Sequence, residues 1–164
     1  MSTDLSTNRA LSAWRHLAGL PFGKAVFTRI VQWQAPYFRT IPVRFEQLEP
    51  GHARLRLRDR WRVHNHLGTV HAIALCNAAE LAGGTLAEAT TPATHRWIPK
   101  SMGVEYLAKA SGTLAVEARI TLPASLEQAQ GVPALVSIRD AGGTEVFRAR
   151  IEMWISPKRS SRAG

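Results

Sequence analysis

The sequence predicts an α+β fold: a curved antiparallel sheet of about six strands wrapped around one central helix, with an N-terminal helical extension. Three observations predict it. Residues from about 70 to 88 are apolar nearly all the way round a helix. The segments on both sides of it switch to a period of two, the mark of strands with one dry face. That helix has no helical neighbour on either side in the chain, and a sheet that curls around a lone apolar helix buries it most completely.

The first 40 residues read as helical. In residues 24–34, Val26, Phe27, Ile30 and Val31 recur at helical spacing, with Pro21 before them and Pro36 after. Next, Val43 and Phe45 alternate with Arg44 and Glu46. Glu49-Pro50-Gly51 reads as a turn. Ala53, Leu55 and Leu57 then alternate with Arg54, Arg56 and Arg58, so this is a hairpin with a dry and a wet face. A His-rich connection over 59–67 leads to the apolar helix, for which Thr69 is the expected N-cap. Gly83-Gly84 costs that helix about 1 kcal/mol each. The pair marks either a close approach by another segment or the end of the helix. The remainder reads as four strands joined by short turns, over 102–108, 114–120, 134–139 and 145–155. This is an arrangement of the hotdog type.

At 164 residues the chain has the size of one domain. The expected division is an extension over 1–40, a hotdog domain over 41–156 and a flexible basic tail over 157–164 that holds Lys158, Arg159 and Arg162. No apolar run reaches the ~20 residues of a membrane span. The N-terminus lacks a basic region followed by a sustained apolar one, so a cytoplasmic location is expected. The formal charge of +9 raises the question of nucleic acid. The arginines are spread along the chain and alternate with apolar residues, as on the wet face of strands, and no aromatic–basic platform is present. No nucleic-acid partner is expected, but a positive surface suits the phosphates of a coenzyme. The single Cys76 excludes an internal disulfide and reads as a small core residue. His64, His66, His71 and His95 lack a carboxylate at zinc-type spacing, so neither a metal nor a cofactor is expected.

The segment Asn65-His66-Leu67-Gly68-Thr69-Val70-His71, followed nine residues later by Glu80, resembles the motif of hotdog-fold acyl-CoA thioesterases of the phenylacetate-pathway (PaaI-like) group. That group has an Asn, then a His opening the central helix, then an acid in mid-helix. Lys100-Ser101-Met102-Gly103-Val104-Glu105-Tyr106 is similar to a branch of unassigned physiological function. The resemblance covers roughly 41–156. One departure stands out: His71-Ala72-Ile73 replaces the common His-Gly-Gly.

The chemistry of these residues agrees with the resemblance. A helix N-terminus carries unpaired N–H groups and partial positive charge, which suits the oxyanion of a thioester undergoing attack; Ala72 N–H is the expected donor. Glu80, expected to be buried, serves as general base on water or attacks directly to form an anhydride. Eight residues separate the two, about 12 Å along one helix, so one carbonyl cannot meet both. Two subunits with antiparallel helices bring Glu80 of one to the helix N-terminus of the other. A homodimer or a homotetramer is therefore expected, with equivalent sites across a two-fold axis. Asn65 is expected to orient the water or the carbonyl and His71 to shape the helix entrance. Ser101 completes the catalytic set from a strand facing the helix. Gly68 and Thr69 are counted with the substrate-binding residues. Arg96, Lys100 and Lys109 are candidates for the coenzyme phosphates. The resemblance implies an acyl-CoA or acyl carrier protein thioester as substrate. The missing glycines motivate a rival reading, a non-catalytic acyl-CoA or lipid-binding module. A hydratase or dehydratase on acyl thioesters ranks below both.

Overall fold

The computed structural model describes residues 8–158. Arg159 and Arg162 of the expected tail lie outside the described residues, and Lys158 closes the last strand by donating its N–H to Thr94 O at 2.8 Å. Three α-helices and six strands follow in the order α1 (Arg9–Leu17), α2 (Gly23–Gln34), β1 (Val43–Glu49), β2 (His52–Leu57), α3 (Ala72–Thr90), β3 (His95–Tyr106), β4 (Leu114–Ile120), β5 (Gln130–Arg139) and β6 (Glu145–Pro157). Short 3-10 turns occupy Pro36–Thr40 and Trp61–Val63. The sheet is antiparallel throughout, in the spatial order β1-β2-β4-β5-β6-β3.

The expected alternation sets the two faces. Leu55 and Leu57, Leu114 and Val116, Ala134 and Ile138, Phe147 and Ile155 are fully buried and look toward α3. Arg54, Arg56, Arg119, Arg139, Arg148 and Arg150 occupy the opposite, outer face. β3 does not join β4, its neighbour in sequence, but lies beyond β6 at the far edge. β5 begins four residues before the expected 134 and includes Pro133. β4 pairing ends at Ala134, so residues 130–133 have a strand on one side only, where a residue without an N–H is tolerated.

α3 starts at Ala72 and runs through the glycine pair to Thr90. A Cβ on Gly83 would sit 2.9 Å from Ile151 Cδ1, and one on Gly84 3.2 Å from the Trp97 ring. The glycines thus mark close approach to β6 and β3, not the helix end.

The N-terminal helices belong to the same core. Trp14, Phe27 and Phe45 meet edge to face, with centroids 5.1 and 5.3 Å apart for Trp14–Phe27 and Phe27–Phe45. Thr28 Oγ1 accepts the Phe45 N–H at 3.0 Å and Lys24 Nζ donates to Glu46 O at 2.8 Å, so α2 covers the β1 edge. Asn8 caps α1 through the Leu11 N–H and donates to carbonyls at the end of α3. At the α1–α2 corner a Cβ on Gly23 would lie 1.7 Å from the Leu17 carbonyl oxygen. Helix propensity favours Gly23→Ala by about 1 kcal/mol. The backbone clash reverses that sign, and a net loss of about 1–3 kcal/mol is expected, measurable by urea denaturation. A stabilised Gly23→Ala protein would show the corner to be free to open.

Candidate functional site

The loop entering α3 is built by Asn65. Its Oδ1 accepts the N–H of Leu67 at 2.9 Å and of Thr69 at 3.2 Å, and its Nδ2 donates to Thr69 Oγ1 at 2.9 Å. Gly68 completes the turn at φ +74°, a conformation that favours glycine. The Asn65 amide, expected on the water or carbonyl, is committed to this loop. Thr69 is turned toward Asn65 and is not the N-cap, because its hydroxyl is already used there. His71 is the cap: its Nδ1 accepts the Ile73 N–H at 3.0 Å, which leaves the ring proton of the neutral imidazole on Nε2. His71 thus closes the first turn of the helix. Ala72 is the first helical residue, and among the described residues its N–H has no acceptor.

Beyond the cap, one stripe of α3 is left uncovered by the sheet. Ile73, Cys76, Glu80, Gly84 and Glu88 follow one another at helical spacing, exposed or half-buried, while the rest of the helix is almost wholly buried. Cys76 therefore stands on this stripe and not in the core. Glu80, expected in the most buried part of the helix, is exposed in the protomer. The reason is rotational: it falls on the one face that α3 turns away from β4 and β5. β3 crosses beside this stripe. Trp97 Nε1 donates to Glu88 Oε2 at 2.7 Å, and Tyr106 Oη lies 3.2 Å from Cys76 Sγ. That hydrogen bond to Cys76, reinforced by burial, raises the Tyr106 hydroxyl above its ordinary range. Glu80 lies between these two tethers.

The remaining candidates separate. Ser101 is paired with Glu152 and shares its side of the sheet, facing away from α3. A bulge between Pro99 and Ser101 places Lys100 Nζ 3.4 Å from the centroid of the Trp154 ring, also on the outer face. Arg96 Nε donates to Ser156 Oγ at 3.2 Å on that face. Neither cation is brought to Glu80. Lys109 lies exposed beside Ala110, whose carbonyl accepts the Val70 N–H at 2.8 Å near the α3 entrance. No group of three His, Cys, Asp or Glu side chains converges among the described residues.

Glu80 does line a cavity of about 460 Å³, within the range of small-molecule sites. Its walls are mainly apolar, among them Phe27, Ile30 and Val31 of α2, Phe38, Trp97 and Met153, with Arg9, Gln34 and Glu88 also at the lining. The α2 residues were legible as a helix face. No sequence spacing says which element that face covers, so their place in the site is decided by the fold.

A family profile described as a domain of unknown function, DUF4442, covers residues 23–155. The chain belongs to the DUF4442 family. A comparison with curated proteins finds no match. The DUF4442 chain is similar to a crystal structure solved as a genomics target, 40% identical, covering 91% of this chain and 99% of that one with a TM-score of 0.79. It also resembles PA5026 from Pseudomonas aeruginosa, described as a protein of unknown function and probable thioesterase, at 25% identity, coverage of 85% and 97% and a TM-score of 0.69. A hypothetical thioesterase from Streptococcus pneumoniae, solved with coenzyme A, shares the fold at 14% identity, coverage of 79% and 99% and a TM-score of 0.65. The architecture is the hotdog fold of thioesterase-family proteins. No helix of the described residues is long and apolar enough to cross a membrane.

One hydrogen-bonded pair braces the loop before α3. His64 Nε2 bonds to Asp59 Oδ1, and Asp59 Oδ2 accepts the Gly112 N–H at 2.7 Å. The His64 hydrogen bond, outweighing burial and aided by Gly112, holds the Asp59 carboxyl below the usual carboxylate range. A lowered folded value contributes stability above the unfolded value, about 3.9, and loses it as pH falls toward the folded one. Asp59→Asn is therefore expected to be less stable than wild type at neutral pH, with the difference closing below about pH 4. Thermal denaturation of both proteins across this range checks it; a difference independent of pH would remove the charge from the account.

Proposed function

We propose that this protein is an acyl-CoA thioesterase releasing a free acid and coenzyme A. The observation that carries the reading is Glu80, a carboxylate on the uncovered stripe of α3 at the wall of an apolar cavity sized for an acyl group. Water attacks the thioester carbonyl while Glu80 accepts its proton. The oxyanion is held by a free helix N–H, that of Ala72. Collapse breaks the C–S bond, and the thiolate takes the proton back from Glu80. Direct attack by Glu80 through an anhydride, followed by hydrolysis, gives the same products. Coenzyme A bound to the S. pneumoniae protein supports the substrate class.

The donor and the carboxylate are drawn from two copies of the chain. β3, twelve residues long, pairs with β6 on one side and, among the described residues, with no strand on the other, unlike the β1 edge, which α2 covers. Beside it Ile73, Tyr106 and Met102 are 55%, 52% and 37% exposed. An isologous interface over this face would bury them and set the two α3 stripes against each other. A second reading, a non-catalytic acyl-CoA-binding module, is favoured by Ala72-Ile73 at the helix start and by the commitment of Asn65 to its own loop.

Thiol release from short, long and aromatic acyl-CoAs tests the proposal. Glu80→Gln is expected to lower turnover at least ~100-fold. Unchanged turnover would remove Glu80, and tight acyl-CoA binding without turnover by folded wild type would select the binding module. Ala72→Pro isolates the oxyanion donor. Proline is tolerated at the first helical position, His71 already has the extended backbone that precedes it (ψ 140°), and only the unpaired N–H is lost. A fall of about 10²–10³-fold with helix content unchanged is expected. Mixing subunits of these two inactive variants should restore about a quarter of wild-type turnover, since each mixed dimer regains one complete site. No recovery on mixing would place both groups in one chain or remove one of them.

A further inference from the structure

We infer that the groove between α2, the Pro36–Thr40 turn, the start of β1 and the end of β2 is a phosphate-ester site that takes the nucleotide end of the coenzyme. This rests on the thioester reading above and names where its substrate is anchored. The groove, about 660 Å³, is lined by Arg29, Arg39, Arg44, Arg58 and Arg62 and by no carboxylate. These five residues come from α2, the Pro36–Thr40 turn, β1, the end of β2 and the Trp61–Val63 turn, so the fold brings them to one groove.

The contrast with the arginines on the outer face of the sheet is what makes the cluster informative. Arg54, Arg56, Arg119, Arg139, Arg148 and Arg150 each stand within 4.0 Å of a glutamate. Among the described residues, none of the groove arginines forms such a pair. Carboxylates close by in the chain are committed elsewhere. Glu46, between β1 residues, bridges Arg54 and Arg56, and Asp59, beside Arg58, is held by His64 and the Gly112 N–H. Five arginines around one groove, with no carboxylate in its lining, leave it positively charged. A fold that maintains the cluster has a place for an anion of several charges, and the guanidinium fork matches phosphate oxygens two at a time. A second copy of this chain meeting the groove across a two-fold axis would present the same five cations and is disfavoured.

The groove is built before any ligand arrives. Gln32 Nε2 donates to Phe38 O at 3.0 Å and Ile41 O at 3.2 Å, and the Arg58 N–H donates to Pro42 O at 3.0 Å. Arg39 lies over the Trp33 ring at 5.4 Å. The elements that form the groove are tied to the first half of α3. Thr40 in its wall accepts a hydrogen bond from Asn77 of α3 at 3.0 Å, and Arg62 precedes Val63, whose carbonyl accepts the His71 N–H at 2.8 Å. A coenzyme anchored by its 3′-phosphate and diphosphate here has its pantetheine arm free to run toward Ala72. Arg96 and Lys100, the sequence candidates for the same phosphates, are on β3, at the opposite edge of the sheet from β1.

The test uses the full chain and adenosine 3′,5′-bisphosphate, which carries neither acyl group nor thiol, in a calorimetric titration. The bisphosphate is expected to bind, more weakly as salt is raised. Arg58→Gln/Arg62→Gln is expected to weaken it at least ~10-fold, the scale of losing charged hydrogen bonds, and Arg96→Gln/Lys100→Gln to leave it within about twofold. No binding by wild type, or equal loss in the two double variants, overturns the inference. Groove-dependent binding to phosphatidylserine–phosphatidylcholine vesicles in place of the nucleotide would also overturn it and assign the groove to lipid phosphate. Hydrolysis of an acyl-pantetheine, which has no nucleotide, is followed in parallel. Its absence alongside groove-dependent bisphosphate binding counts against the thioesterase reading only, and its presence without bisphosphate binding counts against the groove only.

Discussion

A helix that is apolar around most of its circumference cannot stand at a protein surface, and the burial of α3 is the constraint on which everything else depends. The sheet has to curve enough for β2, β4, β5 and β6 all to reach it, and the side chains that do so are almost all fully buried. Each such residue contributes on the order of 1.5–3 kcal/mol by leaving water. Gly83 and Gly84 remove the Cβ atoms that would hold β6 and β3 away, so the cost of two glycines in a helix is offset by closer packing. A sheet of finite width still cannot surround a cylinder. The stripe left over carries Glu80, which is why the candidate carboxylate is both on the central helix and open to a ligand.

The two edges of the sheet have opposite fates. β1 is closed by α2 through Thr28 and Lys24, and the aromatic triad of Trp14, Phe27 and Phe45 ties the extension into the core. The extension therefore does two things at once: it blunts an edge, and it supplies one wall of the cavity at Glu80. β3 has no such cover, and its inner face carries the residues that tether the α3 stripe at both ends, Trp97 to Glu88 and Tyr106 to Cys76.

Charge is distributed with the same asymmetry. On the outer face of the sheet, arginines and glutamates neutralise each other. Glu145 is held below the usual carboxylate range by the Ser137 hydroxyl and by Arg148, and Glu117, despite burial, is lowered by Arg119 and His52. Pairs this exposed add little stability, and their main effect is to keep a strongly cationic chain locally balanced. The groove beside α2 lacks that balance: five arginines line it and no carboxylate does.

The sequence by itself determined the types of most elements, the dry and wet faces of β2, β4 and β6, the central helix and the positions of Glu80, His71 and Ala72 on it, while the first half of β3, from His95, was not legible as strand. These depend on local spacing: period two, period 3.6 and the chemistry of a helix terminus are all written within a few residues. It also carried the hotdog resemblance, confined to the run from Asn65 to Glu80 and the strand beyond. Tertiary structure decided what each face meets. Thr69 and His71 are both competent caps, and the choice fell to His71 because Asn65 takes the Thr69 hydroxyl. A helical wheel places Glu80 on a face but cannot say that this is the face the sheet leaves open. Arg96 and Lys100 stand in the right strand, yet a single bulge and the strand register turn them to the outer surface. The five groove arginines are scattered from 29 to 62 and form no motif; long-range packing of α2 on β1 and of the Trp61–Val63 turn on the α3 entrance brings them together. Local periodicity fixes which way a residue points relative to its own element, and only the packing of elements on one another fixes what it points at.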